Sequence, residues 1–175
     1  MSTMKQKIFF IHTYVIQIIL NCIPIFLINI FYDNQTYIGY QLHHQLYLIL
    51  WSLSTIIGLY IYSKIIWEYY QIEYHKMLHS FSCLLMILGA ATPYTEMTVL
   101  KDLHVWLCIL GVLIFLFEWV KNIPIHLNKN STLFFINIGL SIMFTFMFGH
   151  VTSFCEIYFS LTTNILLHHW EYSLR

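Results

Sequence analysis

The sequence predicts an all-α fold, a polytopic transmembrane helix bundle, and three observations carry that prediction. Of the 175 residues, 59% are hydrophobic and only 9% are charged, whereas a soluble domain carries roughly 25% charged residues. Apolar stretches recur along the chain and are separated by short polar segments. The basic residues also cluster in every second connection between these stretches. We therefore expect a single transmembrane domain, residues 1–175, whose surface is covered by lipid rather than water.

Six apolar stretches are predicted to cross the membrane, because about 20 apolar residues span a bilayer core of roughly 30 Å. They are residues 8–31, 45–67, 76–92, 100–120, 131–149 and 154–170. The first is too long for the core of a signal peptide and is expected to be a retained helix. The last two are separated because 131–170 as one helix would be about 60 Å long, twice the bilayer thickness. We expect the break in the polar sequence GHVTSFCE (149–156).

The basic residues orient the predicted spans. With both termini in the cytoplasm, seven of the eight basic residues lie on the cytoplasmic side, as the positive-inside bias of membrane proteins requires. This set comprises Lys5, Lys7, Lys64, Lys76, Lys121, Lys129 and Arg175. Only Lys101 lies outside. We thus predict a multi-pass protein of the cell membrane.

The sequence TPYTEMTVLKDLHVW (92–106) interrupts the apolar pattern with charges, a proline and a histidine. We interpret it as an external connection in which Pro93 ends the third helix and Asp102 lies near the positive end of the next helix dipole. Tyr94 and Trp106 then fall at headgroup depth, where amphipathic rings are favoured. The same aromatic belt is expected to include Tyr32, Tyr37, Tyr40, Trp67, Tyr69, Tyr70, Trp119 and Trp170.

Small residues let transmembrane helices approach closely, and they occur in the third, fourth and fifth spans. The set is Gly89, Ala90, Ala91, Gly111, Gly139, Ser141 and Thr145. These three spans are therefore predicted to form the tight core. Asn21, Asn137 and Asn164 lie within spans and are expected to hydrogen-bond across helices; lining a substrate path is the alternative for them.

The cysteines and the charge balance bear on function. Cys22, Cys83, Cys108 and Cys155 lie in apolar stretches without paired spacing, so we expect thiols that act as small hydrophobic residues rather than a disulfide framework. Eight acidic and eight basic residues balance each other. No nucleic-acid partner is expected, because such proteins present a basic face.

Histidines are the unusual feature, with ten in 175 residues. Ionisable groups at membrane depth are costly and usually pair or take part in chemistry. Four residues on the external side could converge on a metal ion: His44, His104, His150 and Glu156. Neutral imidazole and carboxylate are ligands for zinc or iron, and Glu96 or Asp102 could join them. The alternative is a set of interfacial imidazoles hydrogen-bonded to water and headgroups.

A second possibility comes from a resemblance. KMLH (76–79) is followed by LHVW (103–106) and then by GVLIFLFEW (111–119). This order resembles the middle of the transmembrane di-haem cytochrome b family, which takes electrons from ascorbate. The resemblance implies that His79 and His104 are haem ligands and that the protein carries electrons on haem b.

The layout of the whole chain is also similar to that of the Frag/DRAM/Sfk-type six-helix membrane proteins. A first helix precedes the longest external loop (32–44), and five closely spaced helices follow. The last of them opens with a small and acidic step, VTSFCE (151–156). This resemblance implies an integral membrane protein without known catalysis, involved in membrane or lipid-linked processes.

The sequence therefore favours a small membrane protein with a non-catalytic role. We expect it to act through contacts with the lipid bilayer or with a membrane-protein partner, a second copy of the chain included. No catalytic residue and no cofactor are predicted. The alternative is a haem-b electron carrier, or a histidine and carboxylate metal site at the outer face.

Overall fold

The structure is a computed structural model that describes residues 3–94, 98–122 and 128–174. Every regular element in this part of the chain is a helix. Helix α1 is continuous but contains a π turn, so it consists of Thr3–Ile11, His12–Ile16 and Gln17–Leu27. The others are α2 (Gln35–Tyr40), α3 (Gln45–Tyr69), α4 (Lys76–Ala91), α5 (Thr98–Asn122), α6 (Lys129–Phe148) and α7 (Ser153–Ser173).

Four helices in the described ranges are long and apolar enough to cross a membrane. They are Met4–Leu27, Gln45–Tyr69, Val99–Lys121 and Lys129–Phe148. Helix α4 is apolar as well but has only 16 residues. Helix α7 has 21 residues, but it carries a polar face that lowers its hydropathy. Ser160, Thr163 and Asn164 on that face are fully buried, so the polar groups of α7 point into the bundle.

The chain between α6 and α7 breaks where the sequence predicts. Helix α6 ends at Phe148, and Gly149 adopts a left-handed conformation with φ of 72°, which glycine tolerates at a helix C-terminus. Helix α7 then starts with Thr152 as its N-cap, whose side chain accepts a hydrogen bond from the Cys155 amide. Residues 131–170 therefore form two helices.

Hydrogen bonds between helix ends define the two ends of the bundle. The start of α6 meets the end of α7 where Asn130 donates to Ser173 at 3.0 Å; we call this the terminal end, because α1 also begins there. At the opposite end, the Ser153 amide donates to the carbonyl of Asp33 at 2.6 Å. Six helices thus run alternately between the two ends, and the short α2 lies at the opposite end.

Helix α3 lies at the centre and packs against α1, α2, α4 and α7. The predicted close approach of the third and fourth spans is confirmed, since Gly89 of α4 faces Cys108 of α5 and Gly111 of α5 faces Met86 of α4. The prediction is wrong for the fifth span. Helix α6 packs chiefly against α7, and a side chain at Gly139 would meet no atom of the described residues within 4 Å.

Three tryptophans assigned to the aromatic belt lie in the core instead. Trp67, Trp119 and Trp170 are 0%, 3% and 3% exposed. Trp119 lies between the other two, with ring centroids 5.0 Å from Trp67 and 5.4 Å from Trp170. Of the remaining belt residues, Tyr32 and Tyr69 are largely exposed. Depth along the bundle could be predicted for these rings, but the direction in which they point could not.

Candidate functional site

Buried polar side chains of α1, α3 and α7 form a continuous contact zone, which we call the polar seam. On α1 its members are Thr13, Gln17 and Asn21, each at most 1% exposed. Their spacing of four residues places them on one face of an α-helix. The π turn at His12–Ile16 widens the helix at the start of this face, and His12 joins it there.

At the terminal end of the seam, a tyrosine hydroxyl joins α3 to α1. The Tyr62 hydroxyl lies 3.1 Å from Nδ1 of His12 and 2.8 Å from Oγ1 of Thr13. Nε2 of His12 lies 3.0 Å from the carbonyl oxygen of Ser54. Because a carbonyl only accepts, a neutral His12 ring bonded to it carries its proton on Nε2 and presents Nδ1 to the Tyr62 hydroxyl as an acceptor. The carbonyl of Phe9, 3.3 Å from the same hydroxyl, is a second acceptor. His168 of α7 packs edge-on against the same tyrosine ring, 5.4 Å between centroids.

In the middle of the seam, two carboxamides link all three helices. Gln17 donates to Oγ of Ser54 at 2.9 Å. Nδ2 of Asn21 donates to the carbonyl and the side-chain oxygens of Gln17. Oδ1 of Asn21 accepts from Nε1 of Trp51 at 3.0 Å and from the hydroxyl of Ser160 at 2.5 Å. The donors and acceptors of the Asn21 amide are therefore fully used.

A glycine allows α3 and α7 to cross at the seam. Nδ2 of Asn164 donates to the carbonyl oxygens of Thr55 and Ser160. Its Oδ1 lies so close to Gly58 that a Cβ at that position would overlap it. This oxygen has no N–H or O–H partner among the described residues. Glycine carries a Cα hydrogen where other residues carry Cβ, so the oxygen faces a Cα hydrogen of Gly58. Such Cα–H···O contacts are weakly stabilising and occur where helices pack closely.

At the opposite end, the seam reaches α2 and a carboxylate, Glu156. The Tyr47 hydroxyl lies 2.9 Å from the carbonyl of Leu20 and 2.8 Å from Oε1 of Gln35, the first residue of α2. The amide of Gln35 donates to Oε2 of Glu156 at 2.6 Å. Glu156 also lies in the first turn of α7, where a negative charge is stabilised by the helix dipole.

A separate joint connects α6 to α7. Nδ2 of Asn137 donates to Oγ1 of Thr163 at 3.0 Å, and its Oδ1 accepts from Thr162 at 2.7 Å. The prediction that Asn21, Asn137 and Asn164 hydrogen-bond across helices is thus confirmed for all three. Each one ties its helix to another by side-chain bonds in an apolar setting.

The middle of the polar seam consists of neutral carboxamides, which bear on the chemistry that the seam can perform. A proton relay needs groups that can both accept and release protons along its length. The neutral carboxamides of Gln17 and Asn21 stand between His12 and Glu156 and do not titrate. The bonds that these carboxamides make join α1 to α3 and α7.

The four predicted metal ligands do not converge. In the described part of the chain, no three His, Cys, Asp or Glu side chains form a group that could hold a metal ion. His44 is exposed at the start of α3, and His150 lies with its ring nitrogens 3.0 Å from the carbonyls of Phe148 and Tyr32. His104 and Glu156 are bonded to other groups. Glu96 lies outside the described residues.

The two residues that the cytochrome resemblance implies as haem ligands lie near opposite ends of α4. His79 is in the first turn of α4, and Nδ1 of His104 lies 2.7 Å from the carbonyl of Gly89, near its last turn. Ten residues of helix separate these levels by about 15 Å, so they could serve only two different haem groups. His79 is 1% exposed and stacks on Tyr60 with centroids 4.8 Å apart. Its Nε2 lies 3.3 Å from the Tyr60 carbonyl.

A buried carboxylate, Glu118, lies away from the seam. Glu118 of α5 is fully buried, and its two oxygens lie 3.3 Å from the amide and from Nδ1 of His75. Lys121 approaches the same His75 nitrogen at 3.5 Å. These contacts connect the end of α5 to the start of α4 at the terminal end of the bundle.

Sequence reasoning missed several members of the seam, namely Thr13, Gln17, Ser54, Tyr62 and Ser160. The signal that could have found them is the four-residue spacing of polar side chains in α1, which continues from Thr13 through Asn21. An isolated polar residue in an apolar span has many explanations, whereas three on one face indicate contact with another polar helix.

Comparison with known proteins adds no family to these observations. No protein-family model matches the chain, and none of the curated proteins or solved structures compared with it matches either.

Proposed function

We propose that the chain is a six-span integral membrane protein of the cell membrane, with both termini cytoplasmic, that acts without catalysis through contacts with lipids or membrane partners. The observation that carries this proposal is the use of its buried polar groups. Asn21, Asn137 and Asn164 all bond to neighbouring helices. The outward faces, in contrast, present large apolar side chains such as Phe26, Phe146 and Leu46, which are 84%, 81% and 70% exposed.

The number of spans depends on whether α4 and α7 cross the membrane, and the fold supports including both. Helix α7 is the more polar, but its polar residues are buried against α1 and α3, so hydrocarbon would meet its apolar side. Helix α4 is about 24 Å long at 1.5 Å per residue, shorter than the bilayer core. It packs between α3 and α5, and a short span of this kind is accommodated at a modest free-energy cost.

The outward surface also offers a place for lipid. A groove between α6 and α7 has a cavity volume of about 330 Å³. Its lining is mostly aliphatic, with Asn137, Tyr158 and Thr162 among Leu133, Ile136, Leu140, Ile165 and Leu166. Its apolar walls suit an acyl chain, because hydrocarbon makes favourable dispersion contacts with such side chains.

Single cysteines at exposed positions test the topology. We expect Val151→Cys to react with a membrane-impermeant maleimide added to intact cells, and Tyr172→Cys to react only after permeabilisation. The matching pair for α4 is Val99→Cys, at the start of α5 and so beyond the predicted outer end of α4, and Met77→Cys, at its inner end. Labelling of both members of a pair from one side would show that the helix does not cross. The chain without added cysteines gives the background of its four native thiols.

An absorption spectrum tests the non-catalytic part of the proposal. Protein purified in detergent from haem-replete cells is expected to lack a Soret band. A Soret band that disappears in His79→Ala or His104→Ala would overturn the proposal in favour of a haem-b electron carrier.

A further inference from the structure

Helix α2 is short, yet it is buried at the opposite end of the bundle. Of its six residues, Gln35, Thr36, Ile38 and Gly39 are buried. Gly39 lies so close to α3 that a Cβ there would be 2.6 Å from Cδ2 of Leu48. Helix α2 therefore fills the space above Tyr47, where the polar seam reaches this end.

Hydrogen bonds to α3, α4, α5 and α7 hold α2 in this position. The Tyr47 hydroxyl of α3 lies 2.8 Å from Oε1 of Gln35. The shortest is the one from the Gln35 amide to Glu156, at 2.6 Å. Tyr40 donates to the carbonyl of Ala90 at 3.2 Å, and Thr36 lies 3.4 Å from Nε2 of His104. In its ionised form Glu156 makes the strongest of these bonds, because a hydrogen bond to a carboxylate is roughly twice as strong as one between neutral groups.

The buried position of α2 also includes features that are unfavourable in free energy. His43, which joins α2 to α3, has φ of 59°, an uncommon conformation for a residue other than glycine. Nε2 of Gln35 and Oγ of Ser153 are buried without a hydrogen-bond partner among the described residues. Each buried unsatisfied group is unfavourable, and water would satisfy both if α2 moved outward.

From this balance we propose that α2 is a movable plug, which closes the opposite end of the polar seam and is held there chiefly by the Glu156 carboxylate. Outward movement relieves the backbone at His43 and hydrates Gln35 and Ser153. It also uncovers Tyr47 and the outer end of the seam. Opening is opposed by the bond from the Gln35 amide to Glu156, by the bond between Tyr47 and Gln35, and by the packing of Gly39 on Leu48.

Cysteine labelling of detergent-solubilised protein tests the plug, in a background with the four native cysteines replaced by alanine. The reporter is Ile38→Cys, since Ile38 is 0% exposed. The matched control is Tyr37→Cys on the same helix, since Tyr37 is 41% exposed. We expect the Ile38→Cys thiol to react slowly in the parent and about tenfold faster after Glu156→Gln, which keeps an acceptor but removes the charge. Glu156→Ala should accelerate the reaction further, while the rate of the Tyr37→Cys control stays constant.

Two additional variants separate plug movement from unfolding. Leu167→Cys reports on the terminal end, where Leu167 is 0% exposed, and its labelling should not respond to Glu156→Gln. Ser153→Ala removes an unsatisfied hydroxyl and should slow the Ile38→Cys reaction severalfold. The proposal is overturned if Glu156→Gln leaves the Ile38→Cys rate unchanged, or if it accelerates Leu167→Cys equally.

Discussion

The α4–α5 pair and the polar seam show two different ways of joining helices in one small protein. Between α4 and α5, Gly89 and Gly111 let the backbones approach until a Cβ would collide with the facing helix. Between α1, α3 and α7, contact depends on side-chain hydrogen bonds centred on Asn21 and Asn164. The first mode requires residues without a Cβ atom, and the second requires side chains that donate and accept hydrogen bonds. Substitutions should therefore fail for different reasons in the two regions.

The largest effect is expected where both modes meet, at Gly58. A methyl group there overlaps Oδ1 of Asn164, so Gly58→Ala must displace the amide and break its bonds to Thr55 and Ser160. Overpacking and lost hydrogen bonds together should destabilise the fold by about 3 kcal/mol or more. Unfolding of the detergent-solubilised protein by SDS measures this.

The companion variant for Gly58 is a double substitution. Asn164→Ala alone loses the hydrogen bonds but creates room, so Gly58→Ala in that background should cost much less than in the parent. Additive losses in the double variant would mean that the two residues are not in contact.

Within the α4–α5 pair, Gly111→Ala is expected to come next. Its Cβ would lie 2.9 Å from the Ser82 carbonyl and 3.0 Å from the Met86 amide, and backbone atoms cannot rotate away. A loss of about 2 kcal/mol is expected from overpacking. Gly139→Ala on α6 is the matched control, because its Cβ meets nothing within 4 Å of the described residues. Alanine there should be neutral or stabilising by up to roughly 1 kcal/mol. Equal losses at both glycines would contradict the distinction.

This difference between regions also explains which helix contacts could be predicted from the sequence. Gly89, Gly111 and the three asparagines could be predicted because small or polar residues within an apolar span have few other uses. The break at Gly149 could be predicted because one helix would be too long. Gly58 was missed, although Ser54 stands four residues before it, and two small residues at this spacing are typical of close helix contacts.

The direction in which a side chain points was the information that the sequence lacked. In an amphipathic helix, polar residues mark the outer face. Helices α3 and α5 are apolar and long enough to cross a membrane, and in such a helix the outward and buried sides look alike in sequence. Trp67 and Trp119 were therefore placed at the surface although they are buried. The convergence of His44, His104 and His150 was equally undetermined, because spacing along the chain does not fix distances between helices.

In the middle of the polar seam, Asn21→Ala should have an intermediate effect. It leaves the Trp51 and Ser160 donors and Oε1 of Gln17 without their partner. Interhelical hydrogen bonds in membrane proteins contribute less than about 1 kcal/mol each on average, so a total loss of about 1–2 kcal/mol is expected. The same unfolding assay measures it. A loss as large as that of Gly58→Ala would show that hydrogen bonding, and not close approach, dominates in this region.

The smallest expected effect distinguishes a hydrogen-bonding tyrosine from a packing one. Tyr62→Phe keeps the ring against His12 and His168 but removes the hydroxyl that His12 and Thr13 share, for a loss of about 0.5–1 kcal/mol. Tyr60→Phe on the same helix is the control. Among the described residues, its hydroxyl makes one hydrogen-bond contact, at 3.5 Å to the exposed Ser80, while its ring keeps its place on His79. The unfolding free energy of Tyr60→Phe should stay within about 0.3 kcal/mol of the parent, as for most exposed polar changes. If Tyr62→Phe is equally silent, the terminal end of the seam is stabilised by ring packing alone, and the hydrogen-bonded mode applies only to the segment around Asn21.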